Sequence, residues 1–229
     1  ATADYMQRVA RSKAAPSLRI PERQTPAFQD GPQRGARPLP YDLAAAARVA
    51  DGAVLIDLVN SGRTGAVFQV FDNTDRAGPW RFTLGSGETY AAGHWNDGRP
   101  GVYDLTVHGP NGFYRRFAGD ATRPQPQVTI STDAKGLLTV ELTGAQEGTA
   151  QAVLDMDAAY PLSEGEARRR LTLRPGTAAH SVWDLRGSDH WYDLTVTLAD
   201  DPTFIQRLAG HVETGRPSRT DPAIGRMRL

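Results

Sequence analysis

The chain has 229 residues, and its 26 Lys and Arg balance 26 Asp and Glu, so the formal net charge at pH 7 is zero. That balance excludes a general nucleic-acid binder, which needs a basic excess to release counterions, and it gives no strong attraction to an anionic membrane. With no cysteine the chain holds neither a disulfide nor a thiolate metal site, and it has no run of about 18 apolar residues to span a bilayer.

Ala1 to about Ala15 reads as a short helix, with Thr2 or Asp4 near its start and Tyr5, Met6 and Val9 at helical spacing. Its apolar stripe is thin, so it is expected to be the end of something larger. The opening ATADYMQRVA lacks the apolar centre of a signal peptide, which leaves a cytosolic protein or a chain that starts downstream of its targeting signal. Pro16 to Pro40 carries six prolines among scattered Arg and Gln, the composition of an extended connector that can still pack along a domain surface.

Strand signals begin near Tyr41. Leu43 to Ala47 is ambiguous, because alanine favours helix, but the internal repeat described below asks for a strand there. Val54 to Val59, Ala66 to Phe71, Trp80 to Leu84 and Glu88 to Ala92 follow, separated by Gly, Asn, Asp and Ser clusters at the short spacing of β-sandwiches. Tyr103-Asp-Leu-Thr-Val107 alternates apolar and polar residues with the two-residue period of a strand. His108-Gly-Pro-Asn-Gly112 is a turn, and Phe113 to Gly119 is the return strand of a hairpin.

The same scheme then recurs. Trp191-Tyr-Asp-Leu-Thr-Val196 and Phe204-Ile-Gln-Arg-Leu-Ala-Gly210 copy the hairpin with two extra turn residues, Leu171 to Gly176 copies Phe82 to Gly87, and Trp183 follows as Trp95 does. Lys135 to Leu142 matches Asp51 to Leu58. Four matched blocks in one order indicate duplication. The expected fold is therefore all-β: two tandem antiparallel, Ig-like β-sandwiches spanning 41–122 and 123–212, behind an irregular connector (1–40) and ahead of an irregular tail (213–229). Within the second copy, strands are also expected at Val128 to Ser131, Gln151 to Asp155, Arg169 to Leu173 and Ala179 to Asp184, with Ser163 to Arg168 as a helical turn or a loop.

Chemistry is sparse. The five histidines show no HxH, HxxxH or HExxH spacing, and there is no Gly-x-Ser-x-Gly elbow and no P-loop, so no catalytic residue, metal or cofactor is expected. Asp104 and Asp193 occupy one place in both copies, which fits outward strand residues bonded to backbone or Arg better than a catalytic pair. Trp95 and Trp183 fit core positions between sheets. The candidate binding residues are His108, Asn111, Phe113, Tyr114, Arg115 and Arg116 on the hairpin, with Tyr114, Arg115 and Arg116 read as exposed, because loops on rigid scaffolds gather ligands and Arg forks suit phosphate; the alternative is a plain solvated hairpin tip.

The blocks YDLTVHGPNGFYRRFAG and WYDLTVTLADDPTFIQRLAGHVETGRPSRTDPAIG, with RPLPYDL before them, resemble the paired C-terminal domains of bacterial phosphocholine-preferring phospholipase C. The similarity runs from Arg37 to about Gly225, and Thr2 to Pro21 resembles the end of the preceding catalytic domain. It implies a secreted parent enzyme that hydrolyses phosphatidylcholine-type lipids, with its catalytic motifs upstream and none carried here. The expected partners are that catalytic domain and a phospholipid surface. The expected role is an accessory module that engages lipid; the alternative is a purely structural role in stabilising or exporting the catalytic domain.

Overall fold

Strand pairing in the computed structural model shows how alternating sequence becomes layers; the structure describes residues 2–13, 33–95, 101–133, 135–145 and 147–224. Gly31 to Ile224 form one unit. The expected N-terminal helix is present as α1 (Thr2–Lys13), with Asp4 in its first turn. Pro16 to Pro32 of the expected connector lies outside the described residues.

The first repeat follows β1 (Gly35–Ala36) with β2 (Leu43–Ala50), β3 (Ala53–Asn60), β4 (Ala66–Asp72), β5 (Ala77–Leu84), β6 (Glu88–His94), β7 (Val102–His108) and β8 (Tyr114–Asp120). The second has β9 (Gln127–Thr132), β10 (Leu137–Thr143), β11 (Ala150–Met156), β12 (Arg168–Leu173), β13 (Ala178–Asp184), β14 (Trp191–Leu198) and β15 (Ile205–His211), and β16 (Ser218–Arg219) follows. The alanine-rich β2 pairs with β3 along its whole length, so tertiary pairing overrides alanine's helical preference. Ser163 to Ala167 resolve as a loop with Arg168 opening β12, and residues 213–224 of the tail are irregular apart from β16.

Each repeat places a three-stranded sheet over a four-stranded one. The three-stranded sheets run β2-β3-β6 and β13-β10-β9. Between the layers of the first repeat sit Val54, Ile56 and Leu58 against Phe68, Leu105 and Phe117, all buried. The second repeat has its own core, in which Leu138, Val140 and Trp183 meet Leu154, Leu194 and Leu208. A half-buried strand puts every second side chain into such a core, which is why the apolar alternation was readable.

The two four-stranded layers are one sheet. Its order is β12-β11-β14-β15-β8-β7-β4-β5, so the second half reads as the reversed image of the first. The seam is the antiparallel pair β15 and β8, in register Gln206 with Phe117, Arg207 with Arg116 and Leu208 with Arg115. Because Arg207 is the repeat counterpart of Arg116, each arginine faces its own equivalent across a pseudo-twofold axis. Leader and tail close on one another as well: β1 pairs with β16, and Glu213 accepts from the Leu39 N–H at 3.0 Å.

Candidate functional site

The candidate residues surround the turn between β7 and β8. Asn111 and Gly112 supply its left-handed backbone, at φ 58° and 71°. The Gly109 N–H then donates to the Phe113 carbonyl at 2.9 Å and closes the hairpin. Beyond the turn, consecutive side chains must alternate between the two faces of the sheet. Phe113 and Arg115 face the interior, with exposures of 6% and 1%, so Arg115 is buried where the sequence pointed to an exposed residue. The six residues therefore divide: Asn111, Phe113 and Arg115 line a cavity, whereas His108, Tyr114 and Arg116 lie on the opposite, outward face.

On the outward face, His108 meets Phe71 edge-on at 5.3 Å and Tyr114 at 5.0 Å. Val102 and Val67, on the same face by strand alternation, are 67% and 42% exposed. Arg116 donates Nε and Nη2 to the two carboxylate oxygens of Asp104 at 2.9 and 2.6 Å. Arg207 grips Asp193 with the same fork, its Nε at 2.7 Å from Oδ1, and passes 5.5 Å from the Tyr114 ring. Both aspartates are thus occupied by arginine within their own repeat, the structural role expected from their place on the strand. Burial pushes the Asp104 carboxyl up, but the Arg116 and Asn73 hydrogen bonds outweigh it and hold the group below the usual carboxylate range. The same bond to Asp104 raises Arg116, while burial lowers His108 and raises Tyr114.

The inward set lines a cavity of about 440 Å³ between the facing ends of β2 and β9. Arg115, Tyr192 and Gly210 border it along the sheet, and Asp42, Asp133 and Glu213 contribute carboxylates. Arg115 donates Nη1 to the Tyr114 and Ala209 carbonyls at 2.8 and 2.7 Å, and Nη2 to the Tyr192 hydroxyl at 2.9 Å. Its guanidinium also stacks over Phe113, at 4.2 Å from the ring centroid. At the repeat-equivalent position stands Gln206, beside a second cavity of about 410 Å³ bordered by Ala47, Arg123 and Gln127.

One side-chain row has no signature in sequence spacing. His211 has Nδ1 2.9 Å from Glu213 and Nε2 2.9 Å from the Ser218 hydroxyl, the order of a serine–histidine–acid triad. The wiring is wrong for catalysis. Nε2 also lies 3.1 Å from the Asp189 carbonyl, to which Ser218 donates its hydroxyl at 2.9 Å. The Ser218 hydroxyl proton is therefore directed to a backbone carbonyl and away from the ring. The row clamps the tail. Trp183 is fully buried under Arg169, whose guanidinium lies 3.7 Å from its ring centroid, while Trp95 is half-buried against Trp80 and Phe82. Among the described residues no group of three His, Cys, Asp or Glu is placed to hold a metal ion, and no helix is long and apolar enough to cross a membrane.

A seven-stranded sandwich built twice and fused through a continuous sheet defines a class of duplicated β-sandwich regions with charged pockets at the seam. Within that class the chain belongs to the bacterial phospholipase C, C-terminal domain family, whose model matches residues 35–120 and again 124–211. It is 37% identical over 214 residues to a non-hemolytic phospholipase C of Burkholderia pseudomallei, covering 89% of this chain and 30% of that protein. It is 34% identical over 227 residues to the non-hemolytic phospholipase C of Pseudomonas aeruginosa, covering 92% of the chain and 32% of the relative. The hemolytic phospholipase C of P. aeruginosa is 33% identical over 225 residues, covering 85% and 30%. The chain thus spans about a third of the length of these relatives.

Proposed function

We propose that this chain is the non-catalytic C-terminal region of a secreted bacterial phospholipase C that hydrolyses phosphatidylcholine-type lipids. Its partner is the catalytic region of the same polypeptide, which it helps to engage the lipid surface. The observation that carries this reading is the outward face of the eight-stranded sheet around His108, Tyr114 and Arg116. There, exposed Val67 and Val102 flank the aromatic row Phe71, His108 and Tyr114, and two guanidiniums stand side by side at the seam. Amphipathic rings favour an apolar–polar boundary, and guanidinium N–H groups suit phosphate oxygens. Both arginines are matched by aspartates, so the face is close to neutral and better suited to a zwitterionic than to an anionic lipid surface.

The test is co-sedimentation of the folded chain with phosphatidylcholine vesicles, beside a His108→Ala, Tyr114→Ala variant. Binding that falls at least about tenfold in the variant supports the outward face, since each aromatic edge contributes on the order of 1 kcal/mol. Binding unchanged in the variant removes this face from consideration. The burial of Phe113 and Arg115 favours a second reading, a purely structural region that stabilises or helps export the catalytic domain. A folded chain that ignores vesicles of every composition establishes that reading.

A further inference from the structure

The two repeats finish one corner in different ways. Where the edge strands β5 and β6 of the first repeat meet, Tyr90, Phe82, Trp95 and Trp80 form a chain of rings, with successive centroids 4.6, 5.7 and 5.3 Å apart. Both end rings reach solvent, Trp80 being 41% and Tyr90 38% exposed. The strand registers put Arg169 at the place of Trp80 and Ala179 at that of Tyr90 in the second repeat. There Arg169 lies on Trp183 and donates to the Ser181 hydroxyl and the Val182 carbonyl at 2.8 and 2.6 Å. That corner is shut by a charged group that can stay hydrated, and its tryptophan is fully buried. The fold therefore accepts a charged lid at this position, and the first repeat shows an indole to solvent instead. Contiguous exposed aromatics of this kind mark a surface that meets a partner.

The outer face of the same three-stranded sheet differs in the same direction. Ala45, Ala47 and Leu58 pack on the core, so alternation turns Ala44, Ala46 and Val59 outward. The cross-strand pair of Ala44 with Val59 matches Gln127 with Thr143, and Ala46 matches Thr129. Threonine suits a solvated strand, whereas alanine is a poor strand former, so local preference does not explain the alanines. A floor of small side chains lets a partner's backbone come close.

We propose that this corner and outer face of the first repeat are the surface on which the upstream catalytic region of the same polypeptide docks. The inference rests on the functional reading above. The matched family is a C-terminal domain and the chain covers 30–32% of its relatives, so most of such a polypeptide precedes it and is available to cover the patch. The patch belongs to the three-stranded layer and its edge, whereas His108 and Tyr114 lie on the outward face of the eight-stranded sheet, so a region docked here leaves that face open.

The experiment is oxidative labelling of tryptophans, read by mass spectrometry, in the full-length polypeptide and in this chain. Trp80 is expected to label readily in this chain and to fall to the level of the buried Trp183 in the full-length polypeptide. Ala46→Lys should restore Trp80 labelling there, while Thr129→Lys, at the matching place in the second repeat, should leave it protected. Trp80→Arg with Tyr90→Ala installs the pair that the second repeat carries and should lower the melting temperature of the full-length polypeptide more than that of this chain. Trp80 labelled alike in both, protection that survives Ala46→Lys, or equal losses of melting temperature overturns the docking surface. Protection that appears in this chain alone and grows with its concentration identifies a second copy as the occupant and overturns it too. A full-length polypeptide without phospholipase activity refutes the functional reading itself, whereas an active one with Trp80 labelled refutes the docking surface alone.

Discussion

Asp104 and Asp193 make the same bidentate contact in two copies of one fold, so replacing each with Asn compares one ion pair at two depths, with an exposed Asn73 bond as the extra contact of Asp104. The Asp104 and Arg116 side chains are 23% and 35% exposed; those of Asp193 and Arg207 are 8% and 40%. Water screens the first pair from both sides, and its loss should cost about 0.5–1 kcal/mol, the upper range for an accessible ion pair. At Asp193 the carboxylate is almost out of water, and a charge-assisted bond there is worth about 1.5–3 kcal/mol, which the exposure of Arg207 reduces to about 2. Urea unfolding followed by far-UV circular dichroism, with slopes compared to confirm an unchanged transition, should show Asp193→Asn the more destabilising by about 1 kcal/mol. In melting experiments that difference is about 2–4 °C for a chain of this size. Equal losses, or a larger loss at Asp104, would refute the argument that burial sets the strength of these pairs. The pH dependence has a defined sign. The folded Asp104 carboxyl lies below its usual 3.8, so its contribution is complete above that value and disappears as pH falls through the lowered one. The gap between the unsubstituted chain and Asp104→Asn should therefore close below about pH 4.

Gly136 has φ +84°, and a Cβ there would lie 2.2 Å from the His190 ring, whereas Gly52 at φ +73° faces open space. Gly52→Ala should cost about 1 kcal/mol of backbone strain and Gly136→Ala clearly more, read as the ordering of their melting temperatures. Trp183→Ala removes a fully buried indole and the surface on which Arg169 stacks, and should cost about 3–5 kcal/mol in chemical denaturation. The His108→Ala, Tyr114→Ala variant, by contrast, should unfold within about 1 kcal/mol of the unsubstituted chain, since both rings are partly solvated.

The strands were legible because Leu138, Val140 and Leu142, like Phe68 and Val70, repeat every second residue and are bounded by turn formers. The duplication even settled Leu43 to Ala47 as strand, where alanine alone points the wrong way. The site was harder to read. Phe113 to Arg116 look alike as a cluster of aromatics and arginines, yet the alternation that identifies the strand also sends them to opposite faces, and only placement in the sheet says which face is open. The seam left no mark either. Tyr114 to Ala118 and Ile205 to Ala209 read as the return strands of their own hairpins, and nothing in their composition announces that they pair with each other. His211, Glu213 and Ser218 form their row through a turn and a two-residue strand, which no periodicity reports.

The joined sheet also relieves a constraint on how the seam can vary. Were two identical repeats to associate through β8 alone, a twofold axis would run by Arg116, and every substitution would occur on both sides at once. Two copies of Arg115 would then enter one groove, each burying a positive charge near the other. Tethering the repeats in one polypeptide frees the two sides from each other, so that position 115 can be cationic while its counterpart at 206 is neutral. The asymmetry of the groove is something that a symmetric pair could not have acquired one residue at a time.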